Sequence, residues 1–290
     1  MTKFADWPTD RIRELAAESG KPLEVVCALA FGRHGRMSWG PRLGTYYRDG
    51  DVLRELDILA EREEMLEWNT RYRMRLLISC RGFVPDVTGP LTYSLAPVSP
   101  LVLKPSFVAA YRSKHANYPN PAHGAELAES AAEHALKHKQ FAGARPLVAF
   151  DMIKREDPTK KHPDDDFRLL GDNHIYGALE SAVRAALHWC DVDDQAGIGE
   201  GLATFNIPIC IFASPFWDVG IDSGQVAEPE LKTTAYQTNA FPGLRGDSHT
   251  NVTALVTTRS EVQMLADTVD SLYIDIRNDV QALLSRIGPQ

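Results

Sequence analysis

Residues 206–217 read NIPICIFASPFW and are apolar at almost every position. A strand with one wet face alternates apolar and polar residues, whereas a run without alternation belongs to a strand covered on both faces. Pro208 bounds the run on one side and Pro215 breaks it. The chain therefore has to build a sheet with structure packed on each side, which is a mixed α/β fold with a central sheet. Several segments supply helices for those layers. Residues 124–139 (GAELAESAAEHALKHK) are a helix, and residues 173–189 carry small residues on one face: Ala178, Ala182, Ala185 and Ala186. In residues 261–287, Val262, Leu265, Val269, Leu272, Ile276, Val280, Leu283 and Ile287 recur at three- and four-residue steps. That stripe is core packing or a dimer seam, so a homodimer is allowed. Near the start, Thr9 or Asp10 caps a first helix that runs to Ser19 and ends at Gly20. Pro22 then opens a second helix, KPLEVVCALAFGRHG, apolar on most sides and expected to be buried.

The strands follow. One centres on residues 45–47 and turns at Asp49-Gly50. VLRELDILAE is a second, RMRLLISCRG a third, and EREEMLEWNTRYR between them extends the hairpin. Residues 82–105 are rich in proline and glycine and are expected to be irregular. Residues 146–150 make a short strand, KREDPTKKHPDDDFR a solvated loop, and VAEPELKTTAYQ and NVTALVTT further strands. With no linker composition in sight, residues 1–290 read as one domain with an insertion near 82–170 and a long C-terminal helix.

A chain of 290 residues buries a full core without disulfides or a structural metal. A net charge of −8 argues against coating nucleic acid by bulk charge and leaves room only for a small local basic groove. Cys27, Cys80, Cys190 and Cys210 sit in apolar runs such as VVCALAF, with no C-x-x-C pair. They read as buried free thiols in a reducing cytoplasm. There is no apolar run of about 18 residues, hence no membrane span. The opening MTKFADWPTDRIRE carries acids early and is not a secretory signal.

Chemistry concentrates in residues 24–81. Along VLRELDILAE, strict alternation puts Leu53, Glu55, Asp57 and Leu59 on one face. Asp57 thus lies among apolar residues, where a carboxylate needs a cation or hydrogen-bond donors. In the third strand Arg75, Leu77, Ser79 and Arg81 share a face, so pairing of the two strands brings Asp57, Ser79 and Arg81 to one edge. Asp57 is then either a metal ligand or a structural carboxylate paired with Arg81 or Arg75. Glu24, in a first helical turn, is either a site residue or an acid favoured by the helix dipole.

This layout resembles the restriction-endonuclease-like, or PD-(D/E)XK, nuclease superfamily. The pieces that carry the resemblance are Ser19-Gly20-Lys21-Pro22-Leu23-Glu24, then Arg54-Glu55-Leu56-Asp57-Ile58-Leu59-Ala60, then Leu77-Ile78-Ser79-Cys80-Arg81. NIPICIFASPFWDV looks like the family's closing strands, an apolar strand before a short hairpin. The resemblance implies a central mixed β-sheet flanked by helices and a Mg²⁺-dependent nuclease acting on DNA or RNA. It implies that Asp57 and Glu24 bind the metal. The chain departs from the family where its E-x-K motif becomes Ser79-Cys80-Arg81. Serine offers Mg²⁺ one neutral oxygen in place of a charged one. Arginine holds a phosphate oxygen but cannot act as a general base. With Ser79 as a weakened ligand, Glu55 or Glu24 would complete the metal site beside Asp57, and Arg81 would face the scissile phosphate. The alternative is a catalytically inactive nuclease fold kept as a nucleic-acid or protein interaction module.

Two other patterns are weaker. His134 and His138 stand at i, i+4, a zinc-compatible spacing, but HALKH lacks the glutamate of H-E-x-x-H and reads as a solvated helix face. GIGEGL echoes a phosphate loop without the preceding strand or a following Lys-Ser/Thr, and reads as a turn.

Overall fold

The apolar run as far as Phe212 does lie inside a sheet covered on both faces. The structure is a computed structural model, and it describes residues 20–33, 38–82, 88–96, 99, 102–112, 121–155, 167–169, 173–195, 201–222, 224–240 and 251–287. The first expected helix and most of the charged loop fall outside them. Helix α1 (Lys21–Arg33) leads into β1 (Arg42–Asp49), β2 (Val52–Leu66) and β3 (Thr70–Arg81). Then come β4 (Thr88–Leu95), β5 (Val108–Arg112), α2 (Pro121–Lys137), β6 (Leu147–Arg155), β7 (Phe167–Leu169) and α3 (Asn173–Gln195). The chain continues with β8 (Gly201–Phe212), β9 (Phe216–Asp222), β10 (Gln225–Val226), β11 (Glu230–Lys232), β12 (Thr234–Ala240), β13 (Asn251–Thr258) and α4 (Val262–Ile287).

Two mixed sheets form. The first runs β1-β2-β3-β8-β13-β12, with β5 also paired to β8. Its first three strands are an antiparallel meander, and β3 pairs in parallel with β8 along its whole length, from Thr70↔Gly201 to Arg81↔Phe212. A parallel neighbour needs a long crossover, and α3 lies within it. The second sheet runs β10-β9-β4-β6-β7, with β11 on β9.

Alternation along the strands sorts the core into two layers. Met74, Leu76 and Ile78 of β3 and Phe205, Ile207, Ile209 and Ile211 of β8 face α1, α2 and α4. Leu77, Cys210, Phe212 and Val256 face α3 and the second sheet, where Leu147, Phe150 and Phe216 close the packing. All twelve residues of β8 are buried. Each buried Ile or Leu contributes about 1.5–3 kcal/mol, so this strand and its neighbours carry much of the stability.

Several expectations are corrected. Residues 82–105 are not wholly irregular, because they contain β4. Pro90 is tolerated there because pairing with β9 begins only at Leu91, leaving the strand an edge on that side at the proline. The sheet expected to be central has a second sheet beside it, built largely from the supposed insertion. After the apolar strand β8 the chain passes to the other sheet, where β9 and β10 pair as a short antiparallel ladder. Helix α1 buries one face only, through Leu23, Cys27, Ala30 and Phe31, and leaves Val25, Val26 and Leu29 exposed. The stripe on α4 is core packing: its residues from Val262 to Leu283 are buried inside the chain, so it offers no seam for a second copy. All four cysteines are buried free thiols. Among the described residues no helix is long and apolar enough to cross a membrane.

Candidate functional site

The site lies where α1 begins, beside the end of β3. Gly20, with φ of +78°, sits next to the chain at Gly82 and starts the helix there. Its carbonyl accepts the N–H groups of Leu23 and Glu24, at 3.0 and 3.2 Å. This first turn turns Glu24 inward, where it is buried, and leaves Lys21 at the rim. Lys21 Nζ donates to Glu24 Oε2 at 3.0 Å and lies 3.5 Å from Glu55 Oε1.

Asp57 occupies a break in β2. Leu56 packs in the α3 layer and Ile58, two residues on, in the opposite layer, so the alternation expected along VLRELDILAE fails between them. The β2–β3 ladder accordingly ends at Ile58↔Ile78, and facing the break β1 has Gly44 with φ of +58°, a conformation that favours glycine. Beyond the ladder the Asp57 carboxylate takes over from backbone pairing. Its Oδ2 accepts the Cys80 N–H at 2.7 Å and the Ser79 hydroxyl at 3.1 Å. Arg81 Nη1 stands 3.8 Å from the same oxygen and donates instead to the Cys80 carbonyl at 3.1 Å. Oδ1 accepts no hydrogen bond from a described residue.

Asp57, Ser79 and Arg81 thus meet, and Glu24 and Glu55 join them through Lys21. Burial, chiefly, raises the Glu24 carboxyl above its ordinary 4.5, with the charges of Asp57 and Glu55 adding to the rise and Lys21 opposing it. The Glu24 hydrogen bond in turn holds the Lys21 ammonium above its ordinary value. Beneath the carboxylates, Cys27 and burial push the Cys80 thiol up, and burial pushes Cys210 up to about 12. These thiols stay protonated and are poor nucleophiles.

The donor set does not fit Mg²⁺. That ion wants hard anionic oxygens converging in near-octahedral geometry. Here Asp57 spends one oxygen on Ser79 and Cys80, while Glu24 and Glu55 both lean on Lys21. Ser79 is buried and its hydroxyl proton is committed to Asp57. Among the described residues no three His, Cys, Asp or Glu side chains are grouped closely enough to hold a metal.

Arg75 is not a partner of Asp57. It is buried against Asp193 of α3, with Nη1 2.5 Å from Oδ2 and Nη2 3.1 Å from Oδ1, and its guanidinium stacks on Trp189. Arg73 adds a bond to Asp193 Oδ1 at 2.9 Å. His134 and His138 do not converge either. His134 Nε2 meets Asp279 at 3.0 Å and His138 Nδ1 meets Thr268 at 3.1 Å, so both reach α4 while staying partly exposed. Gly201 of GIGEGL opens β8, and the residues before it lie outside the described ones.

Two participants escaped the sequence reading. Lys21 carried a legible sign, since Lys and Glu three apart on a helix are neighbours. Asp193, in VDDQ, carried none. Comparison of the chain with protein-family models, with curated proteins and with solved structures finds no match.

Proposed function

We propose that this chain is a divergent PD-(D/E)XK-like protein that has lost metal-dependent hydrolysis and serves as an interaction module. The observation that carries the reading is the fate of the Asp57 carboxylate. The position of the family's second carboxylate is Ser79, and its hydroxyl donates to Asp57 where an ionised glutamate would have joined Asp57 in binding cation. The order supports the family reading once β4 to β7 and α2 are set aside as intervening: a helix, a three-stranded meander, then α3 and a buried strand parallel to the third. The four buried thiols fit a reducing cytoplasm.

Charge favours a protein partner over DNA or RNA. Arg42, Arg54, Arg73 and Arg75 of the arginine-rich meander each face a carboxylate within 3.2 Å, which leaves those side chains little to offer phosphates. A second reading, a working Mg²⁺-dependent nuclease with Asp57, Glu55 and Glu24 on the metal and Arg81 on the phosphate, draws on the open Oδ1 of Asp57. Calorimetric titration of Mg²⁺ and Mn²⁺ into wild type and Asp57→Ala separates the two, alongside cleavage and binding assays on DNA and RNA. The interaction-module reading expects no saturable metal binding at millimolar concentration and no cleavage. Saturable binding lost in Asp57→Ala, with cleavage, would sink it.

A further inference from the structure

We propose that the outer face of the second sheet is a homodimer interface, covered by the same face of a second copy of this chain. That face is the side of the sheet turned away from the first sheet and the Asp57 site, so the inference stands apart from the reading of that site.

Strand register fixes which residues point outward. Phe150 and Met152 of β6 and Phe216 of β9 face the core. Alternation then turns Trp217 and Ile221 of β9 and Ile153 of β6 away from it. Their cross-strand partners follow: Leu231 beside Trp217 and Val226 beside Ile221 at one end of the sheet, Leu169 beside Ile153 at the other. Phe167 lies two residues along β7 from Leu169, on the same side. Trp217, Leu231, Val226, Phe167 and Leu169 are each at least 44% exposed. An antiparallel edge with one wet face puts polar residues on that face. Here the edge strands do the reverse. Glu230 and Lys232 of β11 and Arg168 of β7 lie on the core side of the sheet, and their apolar neighbours lie on the outer side. A face patterned in this way is built to be covered.

Size and charge select what covers it. The sheet is five strands across and β9 is seven residues long, which makes a face of about 24 Å by 23 Å. A lone helix, about 10–12 Å wide, covers half of it at most. With the relief of its side chains the face approaches the ~800 Å² per partner of a stable interface. Its rim carries opposite charge at the two ends. Among the described residues, Asp222, Glu228 and Glu230 stand with Lys232 at the β10–β11 end, and Lys154, Arg155 and Arg168 stand with Asp151 at the β6–β7 end. Arg145 also reaches the acidic end, from the core side, at Gly220. A two-fold axis lying between two stacked faces exchanges their ends. Each acidic end then meets a basic end, and Trp217 and Leu231 of one copy cover Phe167 and Leu169 of the other. A second copy supplies this match by symmetry alone.

Sedimentation velocity on the full chain tests the inference, with circular dichroism and thermal midpoints confirming that each variant folds. The wild type is expected to be a dimer with a dissociation constant at or below about 10 µM. Trp217→Asp and Leu231→Asp, both at exposed side chains, each weaken it at least about thirtyfold. Reversing the acidic end (Glu228→Lys/Glu230→Lys) or the basic end (Lys154→Glu/Arg168→Glu) weakens it about tenfold, and all four changes together restore it to near the wild-type value. A wild type that stays monomeric up to about 100 µM would overturn the inference and leave the face to a different partner. A dimer indifferent to both aspartate variants would overturn it too, because that dimer sits on another face. So would open-ended oligomers, or a fourfold variant no tighter than either double variant, since neither fits an exchange of ends by a two-fold axis.

Discussion

Asp193 and Asp57 are both held against β3, the first by Arg73 and Arg75 along the strand, the second by Ser79 and Cys80 at its end. Asp193 is fully compensated. Both its oxygens meet guanidinium groups between 2.5 and 3.1 Å, inside a layer closed by α3. Asp57 has one oxygen tied down by neutral donors and the other open, with Arg81 too far for a hydrogen bond. The same strand thus carries a closed clasp and an open half-site. A clasp of this kind fixes α3 on the sheet and has no capacity left for a ligand. The half-site holds charge only partly neutralised, which is where chemistry or binding has room.

The comparison breaks most visibly at Asp193. Removing it in Asp193→Ala leaves Arg75, 3% exposed, with the half-buried Glu61 at 3.2 Å as its remaining carboxylate among the described residues and the neutral Asn206 Oδ1 at 3.4 Å. Stranding a buried charge costs about 3–5 kcal/mol. Chemical denaturation should show a loss of that size, with the denaturant slope unchanged. A loss below about 1 kcal/mol would mean that the clasp is not what secures α3.

Asp57→Ala should cost less, about 1–3 kcal/mol, because the groups it abandons are the Cys80 N–H and the Ser79 hydroxyl, both neutral. If it matches Asp193→Ala, Arg81 depends on Asp57 far more than 3.8 Å suggests, and the half-site is a second clasp. Ser79→Ala comes next. It removes one neutral donor and spares the shorter Cys80 contact, so denaturation should register about 0.5–1.5 kcal/mol. A stability gain would show that the hydroxyl competes with the backbone for Asp57.

The contrast also explains what could be read in advance. The sheet's two layers were legible because NIPICIFASPFW carries no alternation, and the α4 stripe because its period is helical. The meeting of Asp57, Ser79 and Arg81 was legible because β2 and β3 are short-range neighbours whose pairing follows from one hairpin. The break at Asp57 was not: it depends on a ladder that ends at Ile58↔Ile78 and on a positive φ at Gly44, neither of which leaves a periodic trace. Nor was β4, whose Gly89 and Pro90 argue locally against a strand and are outweighed by neighbours from β6 and β9. The Asp193 clasp joins residues about 118 positions apart, and only the packing of α3 on the sheet brings them together.

The smallest expected effect concerns how the half-site responds to pH. Burial holds the Glu24 carboxyl above its ordinary 4.5, so the folded chain binds this proton more tightly than the unfolded chain does. Linkage then makes the sign definite: as pH rises from 4.5 through the raised value, the unfolded state releases its proton first, and Glu24 subtracts from stability. Glu24→Gln removes the titration, so its stability relative to wild type should increase over that window and level off above it. Thermal midpoints of the two proteins across the window check this. A wild-type midpoint that climbs relative to Glu24→Gln would mean that Lys21 outweighs burial, and that the half-site is closed as firmly as the clasp on Asp193.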